Sequence, residues 1–246
     1  MTYCLAIRVE QGLVFGSDSR THAGVDYVTT YRKMHLFQPA PDRMFVVLSA
    51  GNLATTQAVL NYLRRDLDYP PESGLNLATV RYLFEAAEYI GQLSQSAQQR
   101  SARALATAGF SGEVSLILGG QIRGQPPEIM LIYPQGNYIA ASDETPYLQI
   151  GESKYGKPNL DRLLEPDLPL EVTARIALTS LDATSRSNAT VGPPFEIALY
   201  PRDALVLSHH LRVEGTAPYL SHLREAWNEG LRGALSTLPP FDWERG

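Results

Sequence analysis

The order in which two hydrophobic periods follow one another along this chain restricts its fold more than any other feature. The first segments are β-patterned. Thr2–Val9 is β-prone, Glu10–Gln11–Gly12 reads as a turn, and Leu13–Asp18 is a second strand. Lys33–Phe37 and Met44–Ser49 continue the pattern on either side of Pro39 and Pro41, the latter nearly continuous in apolar character, as in a strand covered on both faces. A helical period then takes over from Leu53 to Leu67, ended by Pro70–Pro71, and again from Val80 to Leu93. Strands return at Val114–Leu118 and Ile129–Tyr133, joined by a Gly/Pro-rich turn over Gly119–Pro127. A helix near Leu170–Thr184, a hairpin of Phe195–Tyr200 with Ala204–Ser208, and a helix over Tyr219–Leu235 complete the series. Strands and helices come in blocks, so the reading is α+β, with helices packed outside a pair of sheets. No internal repeat or long linker interrupts it, and one domain over residues 1–246 is expected, with residues 219–246 forming a C-terminal helix and tail.

Composition removes several function classes. With 246 residues and 44% apolar content the chain can bury a large core without disulfides, and its single cysteine, Cys4, allows neither an intrachain bridge nor a four-cysteine zinc site. Lys and Arg number 21 against 26 acidic residues, with no basic run, which argues against nucleic acid as a partner. The longest apolar stretches, such as Phe45–Ala50, fall far short of the roughly 20 residues of a membrane helix. Arg8 and Glu10 break the first apolar run at once, so no secretory leader is expected and a cytoplasmic location is.

Metal and phosphate chemistry find little support. None of His22, His35, His209, His210 and His222 pairs at the i, i+4 spacing of a helical zinc site, and solvated or hydrogen-bonded rings are the plainer reading. Gly119–Gly124 lacks the lysine and following helix of a phosphate loop, no Gly-x-Ser-x-Gly elbow occurs, and Glu85 and Glu88 read as a solvated helix face. No cofactor and no metal are expected.

What remains is a cluster at the start. Thr2 follows Met1, and a small second residue permits removal of the methionine. A freed Thr2 would carry a hydroxyl nucleophile and an α-amine titrating near ~8, where a lysine titrates near ~10.4, so the amine can serve as base for its own hydroxyl. Asp18 ends the second strand beside the first, and Lys33 opens another. A lysine near the hydroxyl favours its alkoxide, and an aspartate holds the lysine charged and in place. Each residue alone is better served by a bland role: a turn cap for Asp18, a solvated strand position for Lys33.

Together these residues resemble the proteasome-type β subunits of the N-terminal nucleophile hydrolases. Thr2, Gly16–Ser17–Asp18–Ser19–Arg20 and Arg32–Lys33–Met34–His35 fall in the family order, as do Ser49–Ala50–Gly51–Asn52 and Asp182–Ala183–Thr184–Ser185, from residue 2 to about 210. Within that family, Met1–Cys4, Asp18–Asp26 and Gly151–Pro158 are most similar to the bacterial Anbu, or ancestral β-subunit, group. The resemblance implies a four-layer αββα sandwich and a threonine-type endopeptidase acting on peptides or unfolded proteins. It implies Thr2 as nucleophile and base, Asp18 and Lys33 tuning it, and the Gly51 N–H stabilising the oxyanion. Asp182 and Ser185 would fix the α-amine, Thr21 would present its backbone to an extended peptide, and Ser49 and Leu53 would line the first specificity pocket. Two departures stand out. Asp18 and Lys33 are fifteen residues apart, one fewer than usual, and Gly151–Glu152–Ser153 replaces a Gly-Ser-Gly segment. Glu152 or Ser153 would then neighbour the amine, and a carboxylate there raises its pKa. The resemblance also implies a homo-oligomer, a ring or an open lock-washer spiral, and leaves any ATPase partner unknown. A small-amide hydrolase with the same nucleophile, and an oligomeric scaffold with little turnover, are the competing readings.

Overall fold

The computed structural model describes residues 1–22, 28–72 and 74–245. Ala23–Gly24–Val25–Asp26 of the Asp18–Asp26 stretch lie outside the described residues. In chain order the elements are β1 (Tyr3–Val9), β2 (Gly12–Ser17), β3 (Arg20–His22), β4 (Val28–Thr30), β5 (Met34–Ala40), β6 (Arg43–Gly51), α1 (Leu53–Asp68) and α2 (Leu83–Thr107). They continue with β7 (Val114–Ile122), β8 (Glu128–Ile132), β9 (Tyr138–Ala140), β10 (Tyr147–Gly151), α3 (Lys157–Leu163), α4 (Leu170–Ser187), β11 (Phe195–Pro201), β12 (His209–Val213) and α5 (Pro218–Ser236).

Two five-stranded antiparallel sheets, ordered β10-β1-β2-β11-β12 and β5-β6-β7-β8-β9, lie face to face. The layer between them is built from alternate strand residues, Cys4, Ala6, Leu13 and Phe15 from one sheet meeting Val46, Leu48 and Ile117 from the other. The outer face of the first sheet packs on α4 through Leu5, Ile7, Ala177 and Leu181, and the outer face of the second packs on α1 and α2 through Val47, Leu63, Ile90 and Leu118. Strands buried on both faces explain why Met44–Ser49 reads as a continuous apolar run. The result is the expected αββα sandwich.

Two readings of strand bounds change. Gly119 and Gly120 are strand residues of β7, so the turn before β8 begins at Arg123. Ala204–Ser208 is the connection to β12, with Asp203 and Leu205 at positive φ and their N–H groups bonded to Gln121 Oε1 and Tyr200 Oη; the hairpin partner of β11 is His209–Val213. One buried loop side chain, Leu205, next to the apolar Val206 and Leu207, mimicked a strand there. On α5 only Leu220 is buried, while Leu231 and Leu235 are 53% and 69% exposed, so the end of this helix does not close on the domain. Among the described residues no helix is long and apolar enough to cross a membrane, and no cluster of His, Cys, Asp and Glu is arranged to hold a metal ion. His35 departs from the hydrogen-bonded reading. Its Nε2 is buried without a partner, and burial, with Arg64 and Arg32, pushes its pKa down to about 4.

Candidate active site

Strand ends bring the predicted residues together at one edge of the sandwich. Thr2 immediately precedes β1, which runs between β10 and β2 with Tyr3 opposite Gly151 and Cys4 opposite Ser17. Asp18 follows β2, and the two chains lock reciprocally: Tyr3 N–H donates to Asp18 Oδ1 at 3.0 Å, and Asp18 N–H donates to Tyr3 O at 3.1 Å. Lys33 lies one residue before β5 and is held there by Ser49 N–H, which donates to its carbonyl at 3.0 Å. The first two elements of one sheet and the first two of the other thus each contribute an end.

Lys33 Nζ donates to Asp18 Oδ1 at 2.7 Å and to the Arg20 carbonyl at 2.6 Å. Both side chains are buried, Asp18 at 0% and Lys33 at 6% exposure, so water screens the pair little. Burial pushes the Asp18 carboxyl upward, and the Lys33 charge, with N–H donors from Tyr3 and Gly192, pulls it back. A carboxylate so enclosed fixes the lysine rather than acting on substrate itself.

Gly51 closes β6 beside the cleft and Asn52 caps α1, its side chain accepting from Thr55 N–H at 3.1 Å. Gly51 has φ +117°, and a Cβ there would stand 2.3 Å from Glu113 O, so only glycine keeps this turn. Gly151 is tighter still. At φ +83° its Cβ would sit 1.9 Å from Thr2 O, the atom that accepts Glu152 N–H at 2.8 Å. Glycine at 151 therefore lets β10 run against residue 2 and sets Glu152 beside the chain start. Glu152 Oε2 is buried there without a hydrogen-bond partner. Burial holds the Met1 α-amine below its ordinary value, Lys33 acts in the same direction, and Asp18 and Glu152 oppose them.

Thr2, Lys33 and Gly51 border a cleft that Thr21, Ser49 and Leu53 also line, so the three residues expected along the substrate do share one concavity. Ser153 donates its N–H to Gly151 O, and its hydroxyl makes no hydrogen bond among the described residues. Cys4 is fully buried beside the site, and burial pushes its thiol up, which keeps it protonated and inert.

Asp182 and Ser185 are not brought to this cluster. The Asp182 carboxylate accepts from Arg224 Nε at 2.5 Å and Arg186 Nε at 2.9 Å, tying α4 to α5, and the Ser185 hydroxyl donates to Asp182 O. No hydrogen bond joins either to Thr2, Asp18 or Lys33 among the described residues. The segment that does reach Asp18 is the loop after α4, where Gly192 N–H donates to Asp18 Oδ2 at 3.2 Å. Arg20 clamps this loop, its Nη1 donating to Ala189 O at 2.8 Å and its guanidinium covering Gly192. Tyr31 and Thr56, which also line the cleft, carried a readable signal. One stands two residues before Lys33 in an extended segment, the other one helical turn after Leu53.

A family model for proteasome subunits matches residues 2–199. The Anbu (ancestral beta-subunit) protein of Yersinia bercovieri is 43% identical, with 98% of each chain covered and a TM-score of 0.89. The chain belongs to the proteasome subunit family, in its Anbu group. Two further Anbu structures agree. A Gly-1 mutant from Hyphomicrobium sp. strain MC1 is 40% identical over 98% of this chain and 100% of that one, with a TM-score of 0.91. The helical assembly of the Anbu complex from Pseudomonas aeruginosa is 43% identical over 97% and 98% of the two chains, with a TM-score of 0.90. The human proteasome subunit beta type-9 is 30% identical over 129 residues, 51% of this chain. The match spans little more than half of the curated relatives' length, 57% in Oryzias latipes and 56% in human.

Proposed function

We propose that this Anbu-type subunit is a threonine-dependent peptidase whose nucleophile is Thr2, freed by removal of Met1. The observation that carries the reading is the buried Asp18–Lys33 ion pair, bonded through Asp18 to the main chain of Tyr3 and bordering the same cleft as Thr2 through Lys33. Lys33 lowers the cost of charge on the threonine oxygen, and Asp18 keeps the lysine in place.

The step balances within these residues. Thr2 Oγ attacks the carbonyl carbon of a peptide bond while its proton passes to the Thr2 α-amine. The oxyanion is received by the Gly51 N–H, and the cleft's extended peptide runs along Thr21 of β3. Collapse breaks the C–N bond, the leaving nitrogen takes the proton from the amine, and an ester remains on Oγ. Water, giving its proton to the same amine, then releases the acid and regenerates the hydroxyl. Glu152 beside the amine favours its charged form and slows it as a base. In this account Asp182 joins α4 to α5 through Arg224, Ser185 bonds within α4, and the loop at Gly192 supports the catalytic pair instead.

The Pseudomonas aeruginosa relative is described as a helical assembly, and self-association into an open spiral of identical subunits is proposed for this chain too. Cytoplasmic peptides or unfolded proteins are its proposed substrates. The test is labelling by a peptide epoxyketone, whose ring adduct requires both a free amine and the hydroxyl. Adduct on the processed chain and none on Thr2→Ala supports the peptidase. Retained Met1 without labelling favours a scaffold, and turnover of small amides without turnover of peptides favours a small-amide hydrolase.

A further inference from the structure

The cleft at Thr2 has two unequal sides. On one, Met1, Gly151 and Glu152 border an open cavity of about 300 Å³. On the other, Thr21, Tyr31, Ser49, Leu53 and Thr56 close around one of about 40 Å³. The chemistry assigns them, granted the peptidase reading on which this inference rests. The α-amine that takes the Oγ proton must return it to the leaving nitrogen, so the leaving group lies on the amine's side, with Met1 and Glu152. The acyl residue's side chain is left the narrow side.

Size then limits what enters. A benzene-sized group occupies a cavity of about 150 Å³ and one water-sized probe about 10–15 Å³, so about 40 Å³ holds two or three heavy atoms. Beside Thr2, the lining includes three hydroxyl residues (Thr21, Ser49 and Thr56), Leu53 and Tyr31. The two cations at the rim are already engaged, Lys33 by Asp18 and Arg32 by Glu196, whose Oε1 is 3.3 Å from Arg32 Nε. Tyr31 is fixed through its backbone, its N–H donating to Ser19 O at 3.0 Å. We propose that this pocket selects acyl residues with small, uncharged side chains (alanine, serine, threonine or valine) and that Tyr31 sets the limit.

Four peptide epoxyketones differing only in the acyl residue, alanine, valine, leucine or phenylalanine, test this by their rates of Thr2 labelling. Alanine and valine reagents are expected to react about tenfold or more faster than phenylalanine, the scale a misfitting methylene or more commands in a specificity pocket. Tyr31→Ala keeps the backbone bond to Ser19 and is expected to bring leucine and phenylalanine up relative to alanine. Leu53→Ala enlarges the same pocket at a second lining residue and is expected to act likewise. Faster labelling by phenylalanine or leucine in the unaltered chain, or an unchanged order in both enlarged variants, overturns the pocket assignment while leaving the peptidase standing. No labelling by any of the four overturns the peptidase reading and this inference with it.

Discussion

Replacing Lys33 by methionine keeps the length of the side chain and deletes the charge that faces Asp18. The carboxylate is 0% exposed and 2.7 Å from Nζ. At an effective dielectric near ~20, two unit charges at that distance attract by about 6 kcal/mol, most of which offsets their desolvation. What the variant shows is the cost of an orphaned buried charge, about 3–5 kcal/mol near neutral pH. Its pH dependence has a defined sign. Burial already raises the Asp18 carboxyl, and Lys33 is the largest influence lowering it, so the methionine variant's carboxyl rises further. A carboxyl whose folded-state pKa lies above its unfolded value binds its proton more readily when folded. The deficit is therefore greatest above the folded pKa and shrinks as pH falls toward the ordinary carboxylate range. Denaturant titrations of parent and variant at neutral and mildly acidic pH read both quantities. Asp18→Asn combined with Lys33→Met is expected to recover most of the stability while Thr2 remains unreactive. A neutral-pH deficit below about 1 kcal/mol, the scale of an exposed ion pair, or one that grows on acidification, would refute the reasoning.

Other expectations follow from single contacts. Gly151→Ala, at φ +83° with its Cβ 1.9 Å from Thr2 O, should cost at least about 1–3 kcal/mol by thermal melting and slow Thr2 labelling. Glu152 raises the Met1 α-amine and its N–H bonds Thr2 O, so on the processed chain Glu152→Gln should move the acidic limb of the rate profile to lower pH, by up to about one pH unit; a shift to higher pH contradicts the assignment. Arg20→Ala deletes the bond to Ala189 O and uncovers Gly192, and a loss of about 1.5–3 kcal/mol with slower labelling is expected, partly recovered in Arg20→Lys.

Much of this site was legible in sequence because its parts sit at strand ends. Thr2, Asp18, Lys33 and Gly51 each begin or terminate a segment whose period is plain, and adjacent antiparallel strands bring those ends to one edge. Asp182 misled because an Asp-x-x-Ser pattern carries no geometry of its own. On the helix Leu170–Ser187 it turns to Arg186 and Arg224, and the loop beyond does the work at Asp18. That contact joins residues 18 and 192 through the packing of distant segments, which no local spacing encodes. Arg20 stands in the Gly16–Arg20 motif, but its clamping role is not legible there for the same reason, since its partner Ala189 is 169 positions away. The misread second strand of the last hairpin has a different cause. Leu205 is buried in a connection, and burial alone does not separate a strand from a loop pinned by Tyr200 and Gln121.

The central claim is that residue 2 becomes a free-amine threonine that attacks peptide bonds. Intact mass spectrometry of the purified protein before and after treatment with an alanine peptide epoxyketone, with mapping of the N-terminal peptide, addresses it in one measurement. The account predicts a chain lacking Met1 that gains one reagent mass, located on Thr2, and no gain in Thr2→Ala. A processed chain with Thr2 exposed and no adduct, or an adduct that persists in Thr2→Ala, would contradict it.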